Sequence, residues 1–210
     1  MSNVKAILCD MDGVLIDAKE WHYEALNWAL AHFGFNINRY EHLTTYDGLP
    51  TVKKLDMLSI ERGLPRGLHT FINELKQKKT MKLAAEYCSP RFATQYALSQ
   101  LQKRGYRMAV CSNSIKESVS TMITLSSIAN YFEFLLSNED VSAPKPSPEI
   151  YLKALKLMGV DASECLILED NENGIEAAKA SGAHVMVVET VEDVNLENIL
   201  TRICEIEGST

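Results

Sequence analysis

Asp10 and Asp12 stand one residue apart at the end of a short apolar run, in the stretch LCDMDGVLID that spans Leu8 to Asp17. Val4, Ala6, Ile7 and Leu8 read as a buried strand. Such a strand does not normally end in paired acids, because desolvated carboxylates cost roughly several kcal/mol unless a cation or hydrogen bonds compensate. A positive partner is therefore expected at this strand end. Gly13 permits a sharp turn straight afterwards, and Val14 and Leu15 lead on to a third acid, Asp17. Polar groups follow the later apolar runs as well. Ser112, Asn113 and Ser114 come after the run at 106–111, Asn138, Glu139 and Asp140 lead from the run at 132–137 towards Lys145, and Glu169 and Asp170 close the run at 165–169. Hydroxyl, ammonium and carboxylate groups in this combination suit phosphate and a hard cation.

Groups so far apart in sequence need a scaffold that brings them to one place. Short β-rich runs at 4–9, 106–111, 132–137, 165–169 and 184–188 alternate with helix-patterned segments, which predicts a parallel α/β sheet with helices on both faces. Ligands of such sheets bind beyond the carboxyl ends of the strands, where these polar groups lie. Gly105 and Gly182 each stand shortly before a strand, where glycine closes the preceding helix. After the first strand the alternation is interrupted by helical segments at 18–33, 51–62 and 69–87, the first carrying Trp21, Ala25, Trp28, Ala29 and His32 on one face. Ser89-Pro90 ends the interruption, and a helix at about 91–104 returns to the core pattern. The fold expected is a Rossmann-like parallel α/β core, residues 1–16 and 90–210, with an inserted all-helical cap domain at 17–89. The tail after Glu205 is expected to fray.

With 210 residues, 46% of them hydrophobic and 23% charged, the chain can bury one core plus a modest accessory module. A net charge of −7 argues against a nucleic-acid partner, since binders of phosphate backbones carry clustered excess Lys and Arg. No apolar run approaches the roughly 20 residues of a spanning helix, and the N-terminus enters a strand rather than a signal sequence. A cytoplasmic protein with no membrane partner is expected. Cys9, Cys88, Cys111, Cys165 and Cys204 are odd in number and form no CxxC pair, which argues against a zinc site or disulfide framework. Cys9, Cys111 and Cys165 read as small buried hydrophobes.

Taken together, DMDGVLID, the CSNS after the second strand, the lysine of APKPSPEIY and LEDNENGIEAAKASG resemble the four ordered motifs of the haloacid dehalogenase-like (HAD) superfamily, over nearly the whole chain. The helical insertion after the first motif is similar to the cap of the branch containing phosphoglycolate phosphatases and β-phosphoglucomutases. The resemblance implies that Asp10 is the nucleophile, forming an aspartyl-phosphate, and that Asp12 is the acid for the leaving alkoxide and then the base for water. It further implies that Ser112 and the backbone N–H of Asn113 bind the phosphoryl oxygens, and that Lys145 offsets charge on Asp10 and phosphate. Asp10, Asp12 (through its carbonyl), Glu169 and Asp170 make up the implied metal site. Charge counting agrees, because four acids beside a dianionic phosphate exceed what Lys145 can balance, and hard oxygen donors favour Mg²⁺. The implied protein is a Mg²⁺-dependent phosphatase acting on a small phosphorylated metabolite, either a sugar phosphate or a phosphoglycolate-like ester, under a closing cap; separately, a monomer is expected.

Simpler readings stand beside these. An EF-hand is excluded, since its sixth and twelfth positions would hold Leu15 and Trp21. Ser112 and Asn113 suit capping of the next helix, Lys145 suits an ordinary loop, and Glu169 and Asp170 suit the start of the helix near Glu172. Gly174 reads as a site of close packing or backbone approach, and Asn171 stands where related phosphatases often carry a small hydroxyl residue. Within the insertion, His22 is placed like the histidine that couples the cap to the acid/base aspartate in the mutase branch. Gly48, in TTYDGLPT, resembles the cap's substrate loop. No arginine follows where mutases hold a second phosphate; Thr51, Lys53 and Lys54 are the nearest polar substitutes, and KQKK at 76–79 reads as a solvated face. A sugar-phosphate mutase is thus the competing reading, with a non-catalytic binding protein behind it. Dehalogenation is disfavoured by Asp12, because a halide leaving group needs no proton.

Overall fold

The computed structural model describes residues 4–208. Strands β1 (Ala6–Cys9), β2 (Arg107–Cys111), β3 (Leu135–Leu136), β4 (Cys165–Glu169) and β5 (His184–Val187) form one sheet of order β3-β2-β1-β4-β5, every pair parallel. The expected strand at 132–137 shortens to two residues at the sheet edge, where pairing is available on one side only. Crossovers run to one side of β1 first and then to the other, so β1 lies at the switch point where ligands of open α/β sheets bind. Cys9 pairs with Val110 and with Leu168, which sets Asp10 level with Cys111 on one flank and Glu169 on the other. That register brings three chain segments to one edge.

The apolar strands are apolar because the sheet is covered on both faces. Every residue of β1 and β4 is buried, and Leu8, Ala109, Cys111 and Ile167 pack with Ile150, Tyr151, Ala154 and Ala177 of the covering helices. Those helices are α5 (Phe92–Lys103), α6 (Lys116–Leu125), α7 (Glu149–Met158), α8 (Glu172–Ala180) and α9 (Leu196–Gly208). Gly105 and Gly182 have φ of +89° and +81°, the left-handed turns expected before β2 and β5. Helix α9 continues past Glu205 because Ile203 and Ile206 are buried, so the expected fraying does not begin there; Ser209 and Thr210 lie outside the described residues. Cys9, Cys111 and Cys165 are buried free thiols, as read from the sequence, and burial pushes the Cys165 thiol up to about 12.

The chain divides into two compact units, Met1–Asp17 with Ser89–Thr210, and Ala18–Cys88. The second is all-helical: α1 (Lys19–Ala31), the single turn α2 (Arg39–Glu41), α3 (Thr51–Arg62) and α4 (His69–Tyr87), with shorter turns between them. Its core gathers Leu26, Ala29, Leu30, Tyr46, Leu55, Leu58 and Ile72. Of the α1 residues read onto one face, Ala25 and Ala29 are buried. Ala25, Leu26, Ala29 and Leu30 face inward, the last three in one core with Ile72 of α4, while Trp28 is 41% exposed and packs its ring on exposed His32. The KQKK run is not a plain solvated face either: Lys76 is buried with Nζ 3.1 Å from His22 Nδ1, and Lys79 pairs with Glu24 at 2.7 Å. No helix among the described residues is long and apolar enough to cross a membrane.

Candidate active site

Lys145 is the hub of the strand ends. Its Nζ donates to Asp10 Oδ1 at 2.7 Å, to Glu169 Oε1 at 2.5 Å and to the Cys111 carbonyl at 2.8 Å. Asp10, Lys145 and Glu169 are 7%, 3% and 1% exposed, so these charges face each other with little water between them. Burial would lower the Lys145 pKa, but Asp10 and Glu169 outweigh it and hold the ammonium above its ordinary range. Burial pushes Asp10 well up; Lys145 opposes this, while Glu169, Asp170 and Asp12 add to it. One cation thus meets a surplus of acid, and Lys145 is no ordinary loop lysine.

The loop after β2 is built around this hub. Ser112 is buried, its N–H donates to the Leu136 carbonyl at 2.9 Å, and its Oγ accepts from the Ser114 N–H at 3.0 Å. Helix α6 starts later, after Ile115, and its first N–H, that of Lys116, donates to Glu139 Oε2 at 2.6 Å. Capping of that helix by Ser112 and Asn113 is therefore ruled out. The Asn113 side chain clamps the lysine loop instead, with Oδ1 accepting from the Lys145 N–H at 3.0 Å and Nδ2 donating to the Lys145 carbonyl at 3.4 Å. Ser114 Oγ donates to Asp12 Oδ2 at 2.7 Å. Gly13, with φ of +89°, and the bond from its N–H to the Ile16 carbonyl at 2.7 Å turn the chain directly after Asp12. Asp17, the third acid of the motif, is exposed.

Carboxylate oxygens of Asp10, Glu169 and Asp170 lie within 4.8 Å of one another. Three hard oxygen donors, with no sulfur or imidazole in the group and one ammonium to balance them, fit a small divalent cation of the Mg²⁺ type. The Asp12 carboxylate does not belong to that group and is held by Ser114. At the start of α8 the cap is Asn171, whose Oδ1 accepts from the Asn173 N–H at 3.0 Å, so Glu169 and Asp170 do not cap this helix. Gly174 shows why glycine follows: a Cβ there would sit 2.1 Å from the Glu169 carboxyl. Elsewhere in a helix Gly→Ala gains roughly 1 kcal/mol. Gly174→Ala is expected to cost about 2–3 kcal/mol in urea unfolding, because the pinned Glu169 cannot give way.

Sequence reasoning missed Tyr151. On α7 its hydroxyl donates to Glu169 Oε1, and Lys145 Nζ lies 5.0 Å from its ring centroid. Burial, then the Glu169 charge, holds its hydroxyl well above the ordinary range. A tyrosine on the apolar face of an amphipathic helix gives no sequence signal of this contact. The candidates His22, Gly48 and Thr51 belong to the helical unit: His22 on α1 beside Lys76, Gly48 with φ of +69°, and Thr51 as the first residue of α3. Nearby, Lys53 is exposed and Lys54 buried.

A family model described as haloacid dehalogenase-like hydrolase matches residues 7–188, and the chain belongs to this family. Phosphoglycolate phosphatase of Aquifex aeolicus is 28% identical over 179 residues, covering 85% of this chain and 82% of that protein. Pyrophosphatase PpaX of Bacillus velezensis is 28% identical over 180 residues, covering 85% and 80%. Among solved structures, that of CbbY from Rhodobacter sphaeroides in complex with phosphate matches with a TM-score of 0.78 at 25% identity, over 88% of this chain and 85% of that one.

Proposed function

We propose that the protein is a Mg²⁺-dependent phosphatase that hydrolyses a small phosphomonoester through an aspartyl-phosphate on Asp10. The observation that carries this reading is the buried constellation in which Lys145 holds one oxygen of Asp10 beside Asp170 and Glu169. With Oδ1 engaged by the ammonium, the other Asp10 oxygen attacks phosphorus, and the P–O bond to the alkoxide breaks as Asp12 gives that oxygen its proton. Asp12, now the base, takes a proton from water, which attacks the phosphoenzyme and returns Asp10. Ser114 keeps the Asp12 carboxylate fixed for both transfers. Ser112 and the Asn113 N–H take the phosphoryl oxygens. Asp10, Asp170 and the Asp12 carbonyl, with Glu169 adjoining, would hold Mg²⁺, which would supply charge neutralisation for the transferred group. The helical unit serves as the cap and sets substrate choice.

Phosphatase and pyrophosphatase names among the relatives support phosphoryl chemistry without choosing the ester. A panel of sugar phosphates, phosphoglycolate and pyrophosphate, assayed for free phosphate with Mg²⁺ and with EDTA, tests the proposal. Mg²⁺-dependent release from at least one phosphomonoester is expected. Conversion of β-glucose 1-phosphate to glucose 6-phosphate without free phosphate would make the protein a mutase, and no turnover of any compound would leave it a binding protein.

A further inference from the structure

All three protons of the Lys145 ammonium are committed, to Asp10, to Glu169 and to the Cys111 carbonyl. An ammonium has three donors and no more. To reach a phosphoryl oxygen, as the phosphatase reading requires, it must release one of these partners. Asp10 is the nucleophile and stays charged, and the Cys111 carbonyl is a neutral acceptor fixed at the end of β2. Glu169 is the partner with a second donor on the same atom, because the Tyr151 hydroxyl also donates to Oε1, while the Asp170 N–H approaches Oε2 at 3.2 Å. The Glu169 carboxyl packs directly on Gly174, where a Cβ would lie 2.1 Å from it.

We propose that Tyr151 is a positioning residue that frees Lys145: by keeping Glu169 Oε1 hydrogen-bonded, its hydroxyl lets the ammonium exchange Glu169 for an oxygen of the incoming phosphoryl group. Without that hydroxyl, moving Lys145 strips the buried Oε1 of both its donors, and the ammonium stays on Glu169. Leaving a buried acceptor unmade is the costly half of hydrogen bonding. The role rests on the phosphomonoester reading above and adds to it the residue that governs how tightly phosphate is held.

Tyr151→Phe keeps the ring and its place beside Lys145 and removes only the hydroxyl. Calorimetric titration of inorganic phosphate into Mg²⁺-loaded protein is expected to show about tenfold weaker binding in Tyr151→Phe, with Mg²⁺ binding in the absence of phosphate changed by less than about twofold. In a Glu169→Gln background Asp10 still pairs with the lysine but no charge holds it to residue 169, and the same Tyr151→Phe change should alter phosphate binding by less than about twofold. Those paired results separate the role from loss of packing, which would lower the melting temperature in both backgrounds without this difference. Phosphate affinity within twofold of wild type in Tyr151→Phe, or an equal loss in both backgrounds, overturns the role while leaving the phosphatase reading intact. Failure of wild-type protein to bind phosphate at all overturns both.

Discussion

Asp10→Asn is expected to release phosphate at less than about 10⁻⁴ of the wild-type rate while its melting temperature holds or rises. The substitution keeps the shape of the side chain and leaves an oxygen able to accept from Lys145, but a carboxamide is too weak a nucleophile to attack phosphorus. The fold itself disfavours the charge that is lost. Burial pushes Asp10 well above its ordinary 3.8, and Glu169, Asp170 and Asp12 add to that rise against the pull of Lys145. A carboxylate with a raised pKa in the folded state contributes stability that is present at low pH and lost as pH rises through the folded value. At pH 7.5 without metal, a neutral isostere therefore relieves repulsion, and Mg²⁺ should shrink that gain. Phosphate release and thermal unfolding in the same buffers check both halves. A rate within tenfold of wild type removes Asp10 as nucleophile, whereas a fall of many degrees in melting temperature assigns the loss to folding.

The strand ends were legible because their chemistry contradicts their surroundings. Acids after Leu8 and Leu168, and Ser112 after Cys111, have no reason to follow buried apolar runs unless a ligand or partner meets them there. The strand runs in sequence also fixed the parallel sheet, since β1 and β4 are apolar throughout and such strands need cover on both faces. What stayed hidden depends on distances between segments that periodicity does not encode. Asn113 carries the same residue type whether it caps a helix or clamps the lysine loop, and only the place of Glu139 against the Lys116 N–H decides between them. Tyr151 reads as one more apolar position of α7 until its hydroxyl is seen to meet Glu169. On α1 the face read from the sequence is buried at Ala25 and Ala29 but not at Trp28, and Leu26 and Leu30 complete the buried stripe.

Lys145→Met is expected to cost about 3–5 kcal/mol of stability near neutral pH in metal-free protein, as well as abolishing turnover. Methionine keeps the unbranched stem in its buried channel, so the loss falls on the charge rather than on packing. Asp10 and the Cys111 carbonyl lose their donor, while Glu169 retains the Tyr151 hydroxyl. A loss of this size is a large part of the roughly 5–15 kcal/mol that holds a domain folded. Its pH dependence identifies the cause. Lys145 has its pKa raised from 10.5, so its own contribution is complete below that value and constant between pH 5 and 8. Asp10, deprived of the one neighbour that lowers its pKa, rises further, and the variant loses stability as pH climbs from about 4 through that folded value. The deficit against wild type should therefore widen from pH 5 to pH 8 and narrow when Mg²⁺ binds the folded acids. Urea unfolding at the two pH values, with and without Mg²⁺, measures it. An equal deficit under all four conditions would show that the unpaired charge of Asp10 is not its cause.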